Sequence, residues 1–161
     1  MSSDLSDRQI LECWLDQAVA EERVGTAYVF AVIDKTSHSV VGSTRYLDIQ
    51  LREQGVEIGW TWYTPKVWST TINPEAKLLL LRHAFEDWGA IRVALKTDDR
   101  NVRSQAAIRK LGAQYEGTLR NHRIRSDGSI RHTIMFSIIS DEWSTVRNRL
   151  MQRIAEGNAP P

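Results

Sequence analysis

The spacing of hydrophobic and polar positions changes along the chain from a helical period to a β period and back. Ser6 to Glu22 carries apolar side chains three and four residues apart, which predicts an amphipathic helix ending near Gly25. Thr26 to Asp34 and Ser39 to Ile49 are rich in β-branched and aromatic residues, and the polar residues between them predict a hairpin. Gly55 to Tyr63 alternates apolar and polar positions and predicts a third strand.

The second half of the chain alternates helical and strand patterns. Asn73-Pro74-Glu75 supplies a cap, a proline for the first turn and an acid, so it predicts the start of a long buried helix that runs to about Trp88. The order of elements indicates a mixed α/β sheet of six or so strands with helices on both faces. The remaining predicted elements are Ile91 to Lys96 (strand), Ser104 to Leu111 (helix), Ala113 to Arg125 and Ile130 to Ile139 (hairpin) and residues 154–161 (loose tail).

Composition narrows the kind of protein. With 161 residues and 42% hydrophobic content, residues 1–161 fit one domain. No apolar run approaches the ~18 residues of a membrane span, and the polar, acidic start lacks the features of a secretory signal. The lone Cys13 fits a reducing compartment, so we expect a soluble, cytoplasmic protein. The formal net charge of +1 makes nucleic acid an unlikely partner and favours a small ligand or a protein segment.

The segment from Glu57 to Phe85 is the first candidate for chemistry. A strand that ends in a short polar loop and leads into a helix aims unpaired backbone N–H groups and the positive end of the helix dipole at one spot. A phosphate would bind there. Many helices begin in this way without binding anything, so this segment alone leaves anion binding and a purely structural role equally open.

A set of short motifs in a fixed order resembles the GNAT superfamily of N-acetyltransferases, in particular the branch of the ribosomal-protein alanine acetyltransferases RimJ and RimL. Together the motifs cover roughly residues 25 to 145. They are Glu57-Ile58-Gly59-Trp60, Asn73-Pro74-Glu75-Ala76-Lys77, His83-Ala84-Phe85, Asn101 with Ser104, Lys110-Leu111-Gly112, Glu116-Gly117 with Arg120, and Glu142-Trp143.

The resemblance implies a GNAT-type acyltransferase fold and an enzyme that uses acetyl-CoA as cosubstrate, without a metal. The acetyl group would pass by direct attack to a primary amine, either a protein N-terminal α-amine or a small-molecule amine. The resemblance also implies that the pantetheine arm of CoA lies in a gap beside the strand Gly55 to Tyr63. The residues implied to contact the cosubstrate are Trp60, Trp62, Lys66, Ser69, Thr70, Thr71, Ile72, Asn73, Asn101 and Ser104.

The expected pyrophosphate loop departs from the family pattern. The family places two glycines in a loop that aligns here with Lys66 to Thr71, and both glycines are missing. Glycine allows close approach to phosphate and a positive φ. We therefore expect reduced CoA affinity, with the hydroxyls of Ser69 and Thr71 as substitute donors and Lys66 as the positive charge.

Two residues are candidates for the catalytic roles that the resemblance implies. Glu57 would take a proton from the amine through water, and the alternative is a surface acid on a strand edge. Many GNAT enzymes protonate the leaving thiolate with a tyrosine whose position here is Ile108. We therefore turn to Ser104, which in the RimL-like pattern hydrogen-bonds the CoA sulfur; its alternative role is to bond its own helix backbone. Asn101 before a helix is also an ordinary cap.

The basicity of the acceptor favours an α-amine. At neutral pH roughly ten per cent of a protein α-amine is neutral, against ~0.04 per cent of a lysine side chain. No strong base is evident in the sequence, so an α-amine or a similarly weakly basic small amine is the easier acceptor. This agrees with the RimJ/RimL resemblance.

Basic residues crowd the final hairpin, and an expected part of the family fold is missing. The hairpin would dock an acidic peptide or a carboxylate, although a solvated face is the more ordinary interpretation. Related proteins begin with a further strand and helix, without which Thr26 to Asp34 is an open edge. Either the start is short, or a second subunit forms a homodimer that completes the sheet, or the protein binds CoA without turnover. The last of these options gives one competing hypothesis, a noncatalytic acyl-CoA-binding module. The basic hairpin gives another, a module that binds ribosomal RNA. The basic residues are Arg120, His122, Arg123, Arg125, Arg131 and His132.

Overall fold

Four helices and six strands make up the part of the chain that this computed structural model describes, residues 7–157. No helix within these residues is long and apolar enough to cross a membrane. A 3-10 turn at Pro65–Val67 precedes the second helix, and a π-helical turn at His83–Asp87 continues it. The elements are α1 (Arg8–Arg23), β1 (Ala27–Asp34), β2 (Ser39–Gln50), β3 (Gly55–Tyr63), α2 (Ile72–Arg82), β4 (Arg92–Asp98), α3 (Val102–Leu111), β5 (Gln114–Ile124), β6 (Ile130–Ile139) and α4 (Ser140–Gly157).

The strands form one mixed sheet in the order β1-β2-β3-β4-β6-β5. Every neighbouring pair is antiparallel except β3 and β4, which run parallel. A parallel pair needs a crossover, and α2 supplies it. The predicted mixed α/β sheet is therefore confirmed.

Two consecutive residues of β2 show how the helices are divided between the faces of the sheet. The hydroxyl of Tyr46 donates to the carbonyl of Leu80 on α2 at 2.5 Å, whereas the guanidinium of Arg45 binds Glu21 on α1 at 2.8 Å. Since successive side chains of a strand point to opposite faces, α1 and α2 cover opposite faces. We call these the α1 face and the α2 face.

The hydrophobic core lies on the α2 face, where α2, α3 and α4 pack on the sheet. Side chains there with at most 1% exposure are Tyr46, Leu81, Ala84, Val93, Phe136, Ile138 and Leu150. The α1 face is thinly covered, because Ala18 is the one buried residue of α1. The chemistry-bearing strands are thus supported from one side and left comparatively open on the other.

The C-terminal helix α4 is missing from the elements predicted above. Its apolar residues Trp143, Val146 and Leu150 recur at helical spacing and are buried, and the Trp143 ring stacks on Phe85 with 5.4 Å between centroids. The prediction of a loose tail from residue 154 is wrong as far as Gly157, where α4 ends. The rest of that tail, residues 158–161, lies outside the described residues.

The long helix after β3 also differs from its prediction. It begins at Ile72 with Thr71 as its N-cap, rather than at Asn73, so Pro74 is the third residue of the first turn. After Arg82 the helix widens into the π-helical turn, in which Trp88 N–H donates to the carbonyl five residues earlier at 3.1 Å. Trp88 follows this wider turn directly, and the centroid of its ring lies 4.7 Å from the centroid of the Tyr46 ring.

Candidate active site

The parallel strands β3 and β4 separate shortly after they meet. They pair only over Gly55–Glu57 with Arg92–Ala94. Beyond these residues β3 stays paired with β2 as far as Tyr63, and β4 stays paired with β6 as far as Asp98. Backbone groups of both strands therefore face a gap that widens toward their C-terminal ends, which we call the wedge.

A bulge in β3 accompanies this separation. Ser43 and Arg45 of β2 oppose Trp62 and Gly59, so β3 has one residue more than its partner across this stretch. Trp60 lies in the extra segment with a φ of 49°. An inserted residue bends the strand and increases its twist. The structure thus places Trp60 and Trp62, both half-buried, on the strand that borders the wedge.

The loop that joins β3 to α2 keeps a left-handed backbone conformation where the family has a glycine, although the residue here is a serine. Ser69 stands where the first glycine is expected and adopts a φ of 64°, in the left-handed region that glycine enters without strain. Thr70 donates its hydroxyl to the Val67 carbonyl at 2.8 Å. The remaining predicted contacts of this loop lie together around the start of α2: Lys66 is exposed in the 3-10 turn, Thr71 is the N-cap, and Ile72 and Asn73 open the helix.

The other side of the wedge mouth is the start of α3. Asn101 is its N-cap, and its side-chain oxygen accepts from the Ser104 backbone N–H at 3.0 Å, so the ordinary capping role is present. Within residues 7–157 the half-buried Ser104 hydroxyl takes part in no hydrogen bond, so it does not bond its own helix backbone. The Arg103 guanidinium lies 3.8 Å from the centroid of the Trp68 ring. The loop before α2 and the start of α3 therefore touch.

Glu57 lies at the point where the strands separate, and it is paired. Its carboxylate is 2.6 Å from Nζ of Lys96 on β4, and its side chain is 13% exposed, so it is not a solvated surface acid. A Cβ at Gly59 would meet Glu57 Oε1 at 3.1 Å and a Leu47 methyl at 2.9 Å. Glycine at this position therefore lets the Leu47 methyl and the Glu57 carboxylate pack closely against β3, where a Cβ would collide with them. The sequence reasoning missed Lys96, since its pairing depends on the register between β3 and β4.

A small cavity opens beside Lys96, with a volume of about 200 Å³. Lys96 lines the cavity. The ion pair places Glu57 next to Lys96. The rest of the lining comes from β2, β3, β4 and β6 and includes Asp48, Gly55, Arg92, Ala94 and Met135. The cavity supplies room for a small polar group near the candidate base.

A buried lysine that the sequence reasoning also missed lies behind β3. Lys77 of α2 is 5% exposed and donates to the hydroxyls of Thr61 on β3 at 2.7 Å and Thr44 on β2 at 3.2 Å. Burial lowers the pKa of Lys77 to about 7. Its sequence signal was weak, because a lysine beside a run of four leucines is ordinarily placed on the solvent side of a helix.

The basic hairpin is partly neutralised by its own chain. Arg125 donates to Asp98 through Nε at 2.8 Å and through Nη2 at 2.7 Å, and Nη2 also donates to Asp99 at 2.7 Å. The hydrogen bond from Arg125 lowers the pKa of Asp98. Arg131 lies 3.7 Å from the same aspartate. These two arginines fix the hairpin to the end of β4 instead of forming a free dock; Arg120, His122 and His132 line an open groove on β5, and Arg123 is exposed.

The position of the family tyrosine offers no catalytic side chain. Ile108, at the position of the family tyrosine, is 7% exposed and belongs to the core, so no phenol is available there. No group of three histidine, cysteine, aspartate or glutamate side chains that could hold a metal occurs within residues 7–157. The wedge, the left-handed Ser69 and the start of α2 together fit a thioester tail with a diphosphate.

Comparison with known proteins agrees with this geometry. Residues 2–114 match the family model described as an acetyltransferase (GNAT) domain. A solved structure of a GCN5-related N-acetyltransferase from Brucella melitensis is 28% identical with a TM-score of 0.88, covering 96% of this chain and 68% of that one. One assigned to the acetyltransferases, from T. thermophilus, is 35% identical with a TM-score of 0.83, covering 92% of this chain and 76% of that one.

A more distant structure shows likeness of fold alone. The ribosomal-protein-S5-alanine acetyltransferase from Vibrio fischeri is 22% identical with a TM-score of 0.68, covering 84% of this chain and 73% of that one. No curated protein sequence matches the chain. The family match spans more than half of the chain, and the fold agrees with it over nearly the whole length. The chain therefore belongs to the GNAT family of acetyltransferases, enzymes that use acetyl-CoA.

Proposed function

We propose that the protein transfers the acetyl group of acetyl-CoA directly to a primary amine that binds on the α1 face beside Glu57. The observation that carries this proposal is the separation of β3 from β4 immediately after Glu57. An extended pantetheine arm can pair with the backbone groups that each strand leaves free in the wedge. Its thioester would then lie next to the Glu57 carboxylate.

The cosubstrate would be held mainly by backbone groups. The pantetheine would lie along Trp60 and Trp62 on one side and near Asn101 on the other. The diphosphate would receive N–H groups and hydroxyls from the turn between Ser69 and Asn73, together with the positive end of α2 and the charge of Lys66. This arrangement supplies orientation without a dedicated metal or a glycine-rich loop.

The proposed reaction uses three groups of this chain. Glu57 takes a proton from the acceptor amine through a water molecule, and the neutral nitrogen attacks the thioester carbonyl to form the C–N bond. Backbone N–H groups near Trp60 stabilise the oxyanion of the tetrahedral intermediate. The C–S bond then breaks, and Ser104 donates a hydrogen bond to the departing sulfur. The nitrogen loses its second proton as the amide forms, and this proton balances the thiolate. A thiol with a pKa of ~8.5 leaves readily, so one hydroxyl suffices.

For the acceptor we propose a weakly basic amine, an α-amine above all. Glu57 is held by Lys96 at 2.6 Å, so the site offers one oriented carboxylate as its base. An amine that is already partly neutral asks least of such a base. The RimJ/RimL-like motifs support the same choice of an α-amine.

Acetyl-CoA-dependent release of free thiol tests the proposal. The purified protein would be given acetyl-CoA with a panel of α-amines, peptides with free N-termini, and lysine-like amines. The expected result is thiol release that depends on the acceptor, with an acetylated product detected by mass spectrometry. Tight acetyl-CoA binding with no product from any amine would contradict the proposal.

A further inference from the structure

Arg45 on β2 is a buried cation that the reaction described above does not use. Its side chain is 0% exposed. The guanidinium lies between two indoles, 4.3 Å from the ring centroid of Trp14 on α1 and 4.7 Å from that of Trp60 on β3. Its one ionic partner within residues 7–157 is Glu21 of α1, which accepts from Nη1 at 2.8 Å. Burial lowers the pKa of Arg45, and the attraction of Glu21 opposes this effect.

Two of the three nitrogens of this guanidinium find no hydrogen-bond partner among the residues that the structure describes. Nε and Nη2 are both buried and make no hydrogen bond to any of residues 7–157. These two nitrogens share one edge of the guanidinium plane, and that edge binds carboxylates through two parallel hydrogen bonds. The indole N–H of Trp62 is also buried and has no hydrogen-bond partner in the described part of the chain, and the Trp62 ring packs edge-on against Trp14. The cluster of Arg45, Trp14, Trp60 and Trp62 therefore holds several unused donors.

Unused donors at this depth are costly. A buried N–H that lacks a partner costs roughly 1–3 kcal/mol, and more when the group is charged. Folded proteins pair nearly all such groups, so an exception calls for an explanation. A negatively charged planar acceptor of the size of a carboxylate would satisfy both nitrogens, and the aromatic walls would exclude water from the contact.

Arg45 lies close enough to Glu57 for one acceptor molecule to contact both residues. Arg45 opposes Gly59, and Leu47 opposes Glu57, in an unbroken stretch of the β2–β3 ladder. Arg45 and Glu57 are thus diagonal neighbours on the α1 face, whose backbones are about 7–8 Å apart. Gly59 itself places no side chain between them, and the group nearest to that space is a methyl of Leu47, 2.9 Å from where a Cβ at Gly59 would lie. A molecule with an amine and a carboxylate a few bonds apart can reach both residues, since each hydrogen bond adds about 3 Å.

We infer that the Nε and Nη2 edge of Arg45 binds a carboxylate of the acceptor, so that the substrates of this enzyme are free amino acids or closely related amino-carboxylates. This inference rests on the proposed acetyl transfer to a primary amine, but it selects the acceptor by its carboxylate instead of by weak basicity, since that carboxylate makes the α-amine of a free amino acid more basic than that of a peptide. A peptide N-terminus lacks a carboxylate next to its amine and would leave the edge unsatisfied. Entry requires the Trp14 ring to move. Few buried contacts hold α1 to the sheet, since Ala18 is its one buried residue and Ile10, Leu15 and Val19 remain 39%, 47% and 47% exposed.

Paired acceptors test the inference in the wild-type protein. Each free amino acid is compared with its α-amide, which keeps the side chain and the α-amine but removes the negative charge. The amide has the less basic amine, so basicity alone favours the amide. We expect the acid to have a kcat/KM roughly ten- to a hundredfold higher, as two hydrogen bonds to a charged group imply. Equal rates, or faster acetylation of the amides, would overturn the inference while leaving acetyl transfer to an amine intact.

Variants separate the carboxylate contact from general effects of the charge. Arg45→Lys keeps the positive charge but removes the two-nitrogen edge, so the ratio of kcat/KM for the acid to kcat/KM for the amide should fall to onefold or below within this variant. Arg147→Met removes an arginine that binds Glu86 on the far face of the sheet and should keep the preference. A preference that survives in Arg45→Lys would refute the assignment.

A binding experiment covers the cases in which Arg45→Lys does not fold or no acceptor is acetylated. Calorimetry on the CoA-loaded wild-type protein should give heat with free amino acids and none with their amides at the same concentration. If the acids bind in this way without being acetylated, acetyl transfer fails and the carboxylate site stands. If acids and amides bind equally, or neither binds, the carboxylate site fails.

Discussion

The carboxylate of Glu57 on β3 lies 2.6 Å from the ammonium of Lys96 on β4. Glu57 pairs with Ala94 at the last position before the two strands separate, and Lys96 lies two residues further along β4. The two side chains are 13% and 25% exposed, so solvent screens this pair less than an ordinary surface ion pair. The ion pair therefore connects the two sides of the wedge and fixes the direction of the candidate base. Both the chemistry and the geometry of the site depend on it.

Replacement of Glu57 by glutamine should slow acetyl transfer while leaving cosubstrate binding unchanged. Glutamine keeps the size of the side chain and cannot accept the proton, and loss of a general base costs roughly a hundredfold or more. Steady-state kinetics with thiol detection gives kcat, and calorimetry gives the dissociation constant for CoA. Glu53→Gln, on an exposed turn, is the matched control. A large loss of CoA binding in Glu57→Gln would place this residue in the cosubstrate site instead.

Lys96 is expected to act as a positioning residue through Glu57. Lys96→Met leaves a mostly buried carboxylate without its partner, which should destabilise the fold by about 1–3 kcal/mol and lower kcat more than it changes KM. The double variant Glu57→Gln with Lys96→Met should be more stable than the sum of the two single losses predicts. Urea unfolding of the four proteins measures this coupling. Additive losses would show that the ion pair contributes nothing to stability.

The local elements of the wedge could be predicted from the sequence, but the wedge itself could not. The bounds of β3, Gly55–Tyr63, and of β6, Ile130–Ile139, agree with the prediction because alternation and turn residues are local signals. The separation of β3 from β4 depends on which residues of two strands far apart in the chain pair with each other. Nothing in the alternation of either strand encodes that register. The resemblance to a family supplied the wedge where the pattern could not.

The missed parts have distinct physical reasons. The sequence of helix α4 has apolar residues at helical spacing, namely Trp143, Val146 and Leu150. The many polar residues between them obscured this pattern. Lys77 gave only a weak signal, because its burial depends on two threonines from other elements, Thr44 and Thr61. Such a site appears only when three segments of the chain come together.

Ser69→Gly should tighten CoA binding. Ser69 has a φ of 64°, a conformation that costs a residue with a Cβ roughly 1–2 kcal/mol. Glycine removes that strain and lets the backbone approach a phosphate more closely, although the added freedom of its unfolded chain offsets part of the gain in stability. We expect the dissociation constant for CoA to fall by up to about fivefold. Ser69→Ala separates the two effects, since alanine keeps the Cβ and lacks the hydroxyl; weaker binding in both variants would show that the hydroxyl matters more than the strain.

Ser104→Ala should slow turnover by roughly tenfold, the effect of one lost hydrogen bond to a developing charge, and leave CoA affinity unchanged. Asn101→Ala serves as its structural comparison. That variant removes the cap that accepts from the Ser104 backbone N–H at 3.0 Å and should cost about 1 kcal/mol of stability. Kinetics and urea unfolding on both variants distinguish the roles. Unchanged kcat in Ser104→Ala would exclude a role for this hydroxyl at the sulfur.

Lys77 should make the stability of the protein depend on pH. Burial lowers the pKa of Lys77 from 10.5 to about 7 in the folded chain. Between these values the unfolded chain holds the proton and the folded chain does not, so stability rises with pH by up to ~1.4 kcal/mol per unit. Below about pH 7 both states are protonated, and the unfavourable contribution is fully present.

Lys77→Met removes that contribution, and Thr44 and Thr61 keep their mutual hydrogen bond of 2.8 Å. The variant should therefore be more stable than the wild type near neutral pH, with the difference shrinking as the pH rises toward about 10. Urea unfolding of both proteins from about pH 6 to about pH 10 measures the difference, with the exposed Lys110→Met as control. Parallel stability curves for Lys77→Met and wild type would show that Lys77 titrates alike in the folded and unfolded chain and would contradict this prediction.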